Sequence, residues 1–203
     1  MNEYVEYLEP TYYVDSDSEQ VIEQAKVLTK SIENDVEKLV KIFYWTRDSI
    51  LYDPYKSFSS KKAWYKASMT MQRGQGWCVQ KAVVLAALGR ALNIPSRLHF
   101  ADIRNHQLSG KQFEIMKTNV FIYHGYTEFF INGGWVKATP AFNKSLCEKF
   151  NLPTVEFDGI HDGVLSEETL DGQKYIEYLA DRGYESDLPF KQIFKSFFDY
   201  YQK

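Results

Sequence analysis

Residues 74 to 92 read GQGWCVQKAVVLAALGRAL, and this stretch decides the fold. Gly74 and Gly76 make a loop that ends at Trp77, and the spacing behind it predicts a helix from about Trp77 to Leu92. Ala82, Leu85, Ala86, Gly89 and Leu92 fall on one face, and Val83, Val84, Leu88 and Ala91 add a second. A helix apolar nearly all round belongs at the centre of a domain. Asn93-Ile94-Pro95 ends it, because the residue before a proline disfavours the helical region. Cys78 stands in its first turn. Helix starts carry partial positive charge and free N–H groups, which favour a thiolate and can hold a developing oxyanion. The sequence thus sets a candidate nucleophile at the head of the central helix.

Upstream, the first fourteen residues read as an arm or short strand. Ser16-x-x-Glu19 has capping-box spacing, followed by Val21, Ile22, Ala25, Leu28 and Thr29 on one helical face. Asn34 can cap a second helix carrying Val36, Leu39, Val40, Phe43, Tyr44 and Ile50, closed by Asp53-Pro54. Residues 54 to 75 are polar and irregular. Downstream the period changes. Arg97 to Ala101 reads as a strand, and Thr118 to Ile131 is β-branched and aromatic. Asn132-Gly133-Gly134 turns the chain and Trp135 to Ala138 returns as its partner. An Asp/Gly-rich loop follows, then predicted helices over Gln173 to Asp181 and Asp187 to Tyr201, with Pro189 at a first helical position. Helices, then strands, then helices make an α+β fold over residues 1–203, one domain without repeats or a linker.

Composition narrows the function. Lys and Arg total 24 against 27 Asp and Glu, a net charge of −3, which is no footprint for nucleic acid or an anionic membrane. Cys78 and Cys147 are the two cysteines, too few for a disulfide scaffold. The start, MNEYVEYLEP, lacks the basic and apolar regions of a signal peptide, and no apolar run is long enough to span a bilayer. The expected location is the cytoplasm, where a thiol stays reduced. Asp158, His161 and Asp162, with His99 or His106, lack metal-ligand spacing, so no metal is expected. Gly74-x-Gly76 is not a phosphate loop. Cys147, within Lys144 to Lys149, reads as a partly buried helix residue. The oligomeric state is unknown from sequence.

A thiol nucleophile needs a base to take and return its proton. Of the four histidines, His99 and His106 flank the first strand and His161 sits in the Asp/Gly loop. His124 lies mid-strand, with Tyr126, Glu128 and Phe130 on its face at period two. These residues come together in a resemblance. Gly74-x-Gly76-Trp77-Cys78-Val79-Gln80-Lys81-Ala82 with Arg90-Ala91-Leu92-Asn93-Ile94-Pro95-Ser96-Arg97, then His124-Gly125-Tyr126-Thr127-Glu128, then Gly134-Trp135-Val136-Lys137-Ala138-Thr139-Pro140, occur in the order seen in the transglutaminase-like superfamily. Tyr44-Trp45-Thr46-Arg47-Asp48-Ser49-Ile50-x-Tyr52 is similar to its upstream helix. The resemblance spans about residues 34–143 and leaves 144–203 as a helical extension. It implies a papain-related cysteine-proteinase fold, a central nucleophile helix packed on an antiparallel sheet with Cys78 meeting His124. It also implies thiol-dependent acyl transfer on a peptide or protein amide, as in a cysteine protease, an amidase or a transglutaminase, with no cofactor.

One position departs from the pattern. The superfamily carries Asp just before the proline of the return strand, and here that residue is Thr139. The third member of such a site orients the imidazole and stabilises its cation. A hydroxyl can do the first and not the second. Thr139 is the expected orienter, with Asn143 and Glu128 as rivals. Gln72, six residues before Cys78, is the oxyanion candidate by analogy with papain-like spacing, and Gln75 is its rival. Trp77 either shields the thiol or anchors the core. A catalytically weakened binding module is the alternative to an enzyme, motivated by Thr139.

Overall fold

The computed structural model describes residues 4–109, 113–114 and 117–201. The predicted central helix is α5, Cys78–Ala91, and every residue from Cys78 to Arg90 is buried. Around it run α1 (Glu19–Thr29), α2 (Asp35–Ser49), α3 (Pro54–Ser57) and α4 (Ala67–Arg73). The strands β1 (Leu51–Tyr52) and β2 (Gln75–Gly76) form a short parallel pair just ahead of α5. The main sheet holds β3 (Ser96–Asn105), β4 (Val120–Ile131), β5 (Gly134–Ala138) and β6 (Ile176–Glu185), antiparallel throughout in the order β5-β4-β3-β6. Two further helices, α6 (Lys144–Lys149) and α7 (Phe190–Tyr201), follow β5 and β6. This is the α+β architecture expected, with the helix on an antiparallel sheet.

Two glycines let α5 lie directly on β4. A Cβ on Gly125 would stand 3.1 Å from the Val79 Cα, and one on Gly89 would stand 2.3 Å from Ser96 Oγ and 2.6 Å from the Phe129 ring. Between them the Thr127 hydroxyl donates to the Ala82 carbonyl at 2.9 Å. Gly125, Thr127 and Phe129 therefore face the helix, and by alternation His124, Tyr126 and Glu128 face the other side.

Four expectations are corrected. Residues 173–181 are largely strand: β6 begins at Ile176 and pairs along β3 from Leu98 to Asn105. Tyr175, Tyr178 and Leu179 have helical spacing, but an open sheet edge supplies the backbone partners, and tertiary pairing overrides a short pattern. Ser16 and Glu19 do not form a capping box. Ser18 is the N-cap, its hydroxyl accepting from Val21 N, because Ser16 is buried with its own N–H bonded to the Val14 carbonyl. Of the arm or short strand expected at the start, the strand falls: Val5–Tyr7 is a 3-10 turn. Residues 54–75 are not irregular: α3, a 3-10 turn at Lys62–Tyr65 and α4 fill them. Asp53 caps α3, and Gly74, at φ +64°, closes α4 in the left-handed region.

A charged cluster ties three strands together. His99 on β3 bonds Glu128 of β4 through Nδ1 and Asp181 of β6 through Nε2, both at 2.8 Å. Arg97 adds a 2.5 Å contact to Glu128 and lies between the Trp135 and Tyr184 rings. Burial pulls the His99 imidazole down, but the bonds to Glu128 and Asp181 outweigh it and hold it above its ordinary value.

Two outcomes follow from this packing. Gly89→Ala is expected to cost about 2–3 kcal/mol in chemical denaturation, because the added methyl overpacks a rigid contact. His99 carries the reverse of acid sensitivity. Its raised folded value makes its contribution complete below about pH 6.5, with loss as pH rises through that value. The difference in thermal midpoint between wild type and His99→Gln should therefore be larger at about pH 6 than at about pH 9.

Candidate active site

Cys78 opens α5, and the loop ahead of it is held from both sides. The Trp77 N–H donates to Gln80 Oε1 at 3.3 Å, and Gln80 Nε2 donates to the carbonyls of Ser57 and Trp64 at 3.2 Å each. This fixes the first turn. The Cys78 thiol is 7 % exposed and meets the backbone N–H groups of Gly125, Val79 and Cys78 itself. Burial pushes it up to about 11, against the opposing pull of those N–H groups and of Lys81. The helix start alone would have lowered it, and in the closed protein desolvation wins.

His124 sits on β4 beside a bulge. Between the pairs Ala101↔His124 and Ile103↔Phe121, β4 has two residues, Ile122 and Tyr123, where β3 has one, Asp102. Tyr123 takes up the extra step at φ +53°, a conformation uncommon for a residue with a side chain. Asp102 accepts from Tyr123 N at 3.1 Å, and Arg182 clamps the same carboxylate with two 2.6 Å bonds. Bulges of this kind re-aim the next side chain. The His124 ring is 3 % exposed, burial takes it down to about 4, and its Nε2 is buried without a hydrogen-bond partner. Thiol and imidazole are therefore both neutral at neutral pH.

The remaining candidates separate clearly. Thr139 follows Ala138, the partner of Thr127, so alternation puts it on the face of Tyr126 and His124, diagonal to the histidine. Its hydroxyl is buried and also lacks a partner, so the two side chains share a face without a bond between them. Asn143 is engaged elsewhere: its Oδ1 accepts from Tyr52 N at 3.1 Å and its Nδ2 donates to Ser145 Oγ at 2.7 Å. Glu128 belongs to the His99 and Arg97 cluster. Gln72 is exposed on α4, and Gln75 is half-buried in β2. Cys147 is a buried free cysteine of α6. His161 and Asp158 close an exposed turn, and among the described residues no three His, Cys, Asp or Glu side chains gather as a metal site.

Two features escaped the sequence reading. Gly125, the residue after His124, packs against Val79 and its N–H pulls the Cys78 thiol down, so it joins the histidine strand to the head of α5. A glycine inside an aromatic, β-branched run was the available signal. Lys81, one turn after Cys78, is fully buried and donates to the Arg47 carbonyl at 2.8 Å. Burial lowers it to about 7, with Asp48 pulling the other way. A lysine within an otherwise apolar helix face was its signal.

A model of the transglutaminase-like superfamily matches residues 22–140, more than half of the chain. The chain belongs to the transglutaminase-like superfamily. Among solved structures it is similar to a candidate cysteine protease from Cytophaga hutchinsonii, with a TM-score of 0.58 and 20 % identity over 92 % of this chain. The match takes in 48 % of that protein, so the chain spans about half its length. At this identity the likeness shows the transglutaminase-like fold. A slighter likeness, too weak to bear on the argument, is to the periplasmic domain of TgpA from Pseudomonas aeruginosa: TM-score 0.44, 16 % identity, 60 % of this chain and 42 % of that one. No curated protein matches the sequence. No described helix is long and apolar enough to cross a membrane.

The unpartnered Thr139 hydroxyl makes the orienter testable. Thr139→Asp is expected to raise the His124 titration midpoint in an NMR titration, since a carboxylate favours the imidazolium. An unmoved His124 in Thr139→Asp would show that position 139 does not reach the ring.

Proposed function

We propose that this chain is a thiol hydrolase acting on amide bonds of peptides or proteins, with Cys78 as nucleophile and His124 as acid and base. The observation that carries this reading is the seating of Gly125, the residue after His124, against Val79, the residue after Cys78, where an added Cβ would stand 3.1 Å from the Val79 Cα. The superfamily membership supports it.

The chemistry is balanced with the chain's own groups. The His124 ring, whose Nε2 is without a hydrogen-bond partner in the closed protein, turns to the thiol and accepts the Cys78 proton as sulfur bonds to the substrate carbonyl carbon. The carbonyl electron pair moves to oxygen, where the N–H groups of the first helical turn, including that of Val79, stabilise it. Collapse breaks the C–N bond, and the imidazolium returns the proton to the leaving amine. A thioester remains. Water, deprotonated by His124, attacks it and restores the thiol with release of the acid. Interception by a primary amine in place of water would make the same site a transglutaminase. Thr139 is proposed as the orienter, through its hydroxyl. A reducing compartment, the cytoplasm, is the proposed setting because both cysteines are free.

Thr139 also motivates a second reading, a binding module that keeps the fold. Without a carboxylate the imidazolium formed during acylation is less stabilised. Intact-mass spectrometry after incubation with an N-acetylphenylalanine p-nitrophenyl ester separates the two. The enzyme reading expects an acyl adduct on Cys78 that turns over, its loss in Cys78→Ala, and acylation slowed by about 100-fold or more in His124→Ala. Absence of the adduct, with iodoacetamide still able to modify Cys78, would leave the binding module.

A further inference from the structure

Thiol and imidazole are both covered, and neither of two surface cavities, of about 320 and 180 Å³, is lined by Cys78 or His124. The element lying across the site is α7. Its aromatic residues recur at helical spacing and stack along one strip. Phe190 lies 5.1 Å from the Tyr65 ring, Phe194 5.1 Å from Phe58, and Phe197 5.5 Å from Trp77, the residue before the nucleophile. At the tip, the Tyr201 hydroxyl accepts from Ile122 N at 3.1 Å and donates to the Val120 carbonyl at 3.2 Å. Those residues lie on β4 just before the bulge that aims His124. The Tyr201 phenol is raised to about 12 chiefly by burial, with the Cys78 thiol adding to it.

The two ends of α7 are held unequally. The entry to its base is pinned: Arg90 donates to the Ser186 carbonyl at 2.5 Å, and Asp187 accepts from Tyr13 N at 3.2 Å. Phe190 and Ile193 are buried. Towards the tip, Phe194, Phe197 and Tyr201 are only half-buried, and Phe198 and Tyr200 are exposed. Between base and tip, Gln192 donates to the Tyr123 hydroxyl at 2.9 Å. The tip is held by the Tyr201 hydroxyl and by half-buried rings, so the less buried end is the first to part.

We propose that α7 is a hinged cover over the Cys78 site, and that the aromatic strip under its tip, Phe58 and Trp77, docks an apolar acyl-side residue of the substrate once the cover lifts. The second half rests on Cys78 being the nucleophile; the first does not. With the tip in place, Phe197 fills the position beside Trp77. Lifting it exposes rings next to the reacting sulfur and readmits water. It thereby removes the desolvation that keeps the thiol and the imidazole neutral.

The test uses the full chain and iodoacetamide labelling of Cys78 at constant pH, followed by mass spectrometry, with Cys78→Ser as the blank for Cys147. Phe197→Ala should label about tenfold faster than wild type, and Tyr201→Phe should also label faster. Leu28→Ala, which truncates a half-buried side chain packed against the core on α1, controls for general destabilisation. If Phe197→Ala labels no faster than wild type, or no faster than Leu28→Ala at a matched loss of thermal midpoint, the cover is overturned. Peptide chloromethyl ketones carrying Phe or Gly next to the reactive group then probe the strip. In Phe197→Ala, the Phe reagent should modify Cys78 about tenfold faster than the Gly reagent; equal rates would overturn the docking role. Iodoacetamide reports exposure whether or not Cys78 is catalytic, so failure of the hydrolase reading leaves the labelling result intact.

Discussion

The close seating of α5 on β4 is the contact on which the other features depend. At Gly125 the helix backbone comes near enough to leave no space for a side chain, and at Gly89 the Phe129 ring fills the equivalent space. Thr127 bonds the two elements between these points. This fixes where the head of α5 falls along β4. The residue set against the head of α5 is the one following His124, so a slide of either element would part Cys78 from the histidine's strand. The bulge at Tyr123 completes the placement, and the Asp102–Arg182 pair anchors the bulge to β6. The candidate site is thus a consequence of packing, assembled from one helix and three strands.

The same packing explains why the thiol and imidazole rest uncharged. The helix start and three N–H groups favour a thiolate, yet burial outweighs them at Cys78 and has no opposing partner at His124. A carboxylate at position 139 would supply that partner. With Thr139 there, the structure holds two buried polar atoms on one sheet face, each without a bond. Unpartnered buried groups carry a real free-energy cost, and they persist where the surroundings hold them in place.

Much of this was legible in the sequence because it depends on periodicity. The apolar faces of residues 78–91 gave the central helix, and the alternating run through His124 gave the longest strand with the correct turn behind it. Cys78 at a helix start needed only the glycines ahead of it. The largest misreading lies where long-range partners decide, and the same partners sort the rival site residues. Residues 173–181 carry helical spacing, and only the open edge of β3 turns most of them into strand. Asn143 has suitable chemistry for an orienter, but its amide is taken by Tyr52 and Ser145, a choice no local pattern reveals. Glu128 shares the face of His124, yet His99 and Arg97 claim it from the neighbouring strand.

The C-terminal segment shows the limit most sharply. Ile193, Phe194, Phe197, Phe198 and Tyr201 were readable as the apolar residues of one helix, and all but the exposed Phe198 pack inward. What the face covers was not readable, because its partners, Tyr13, Phe58, Tyr65 and Trp77, are drawn from scattered upstream segments. Phe58, Tyr65 and Phe197 meet at Trp77, the residue before Cys78. A helix that completes the aromatic packing also excludes water from the thiol, so its packing and the charge state of the site are coupled. Any motion that weakens the Phe197–Trp77 contact must at the same time favour ionisation of Cys78. Access and activation would then be governed by one set of rings, without a separate switch for either.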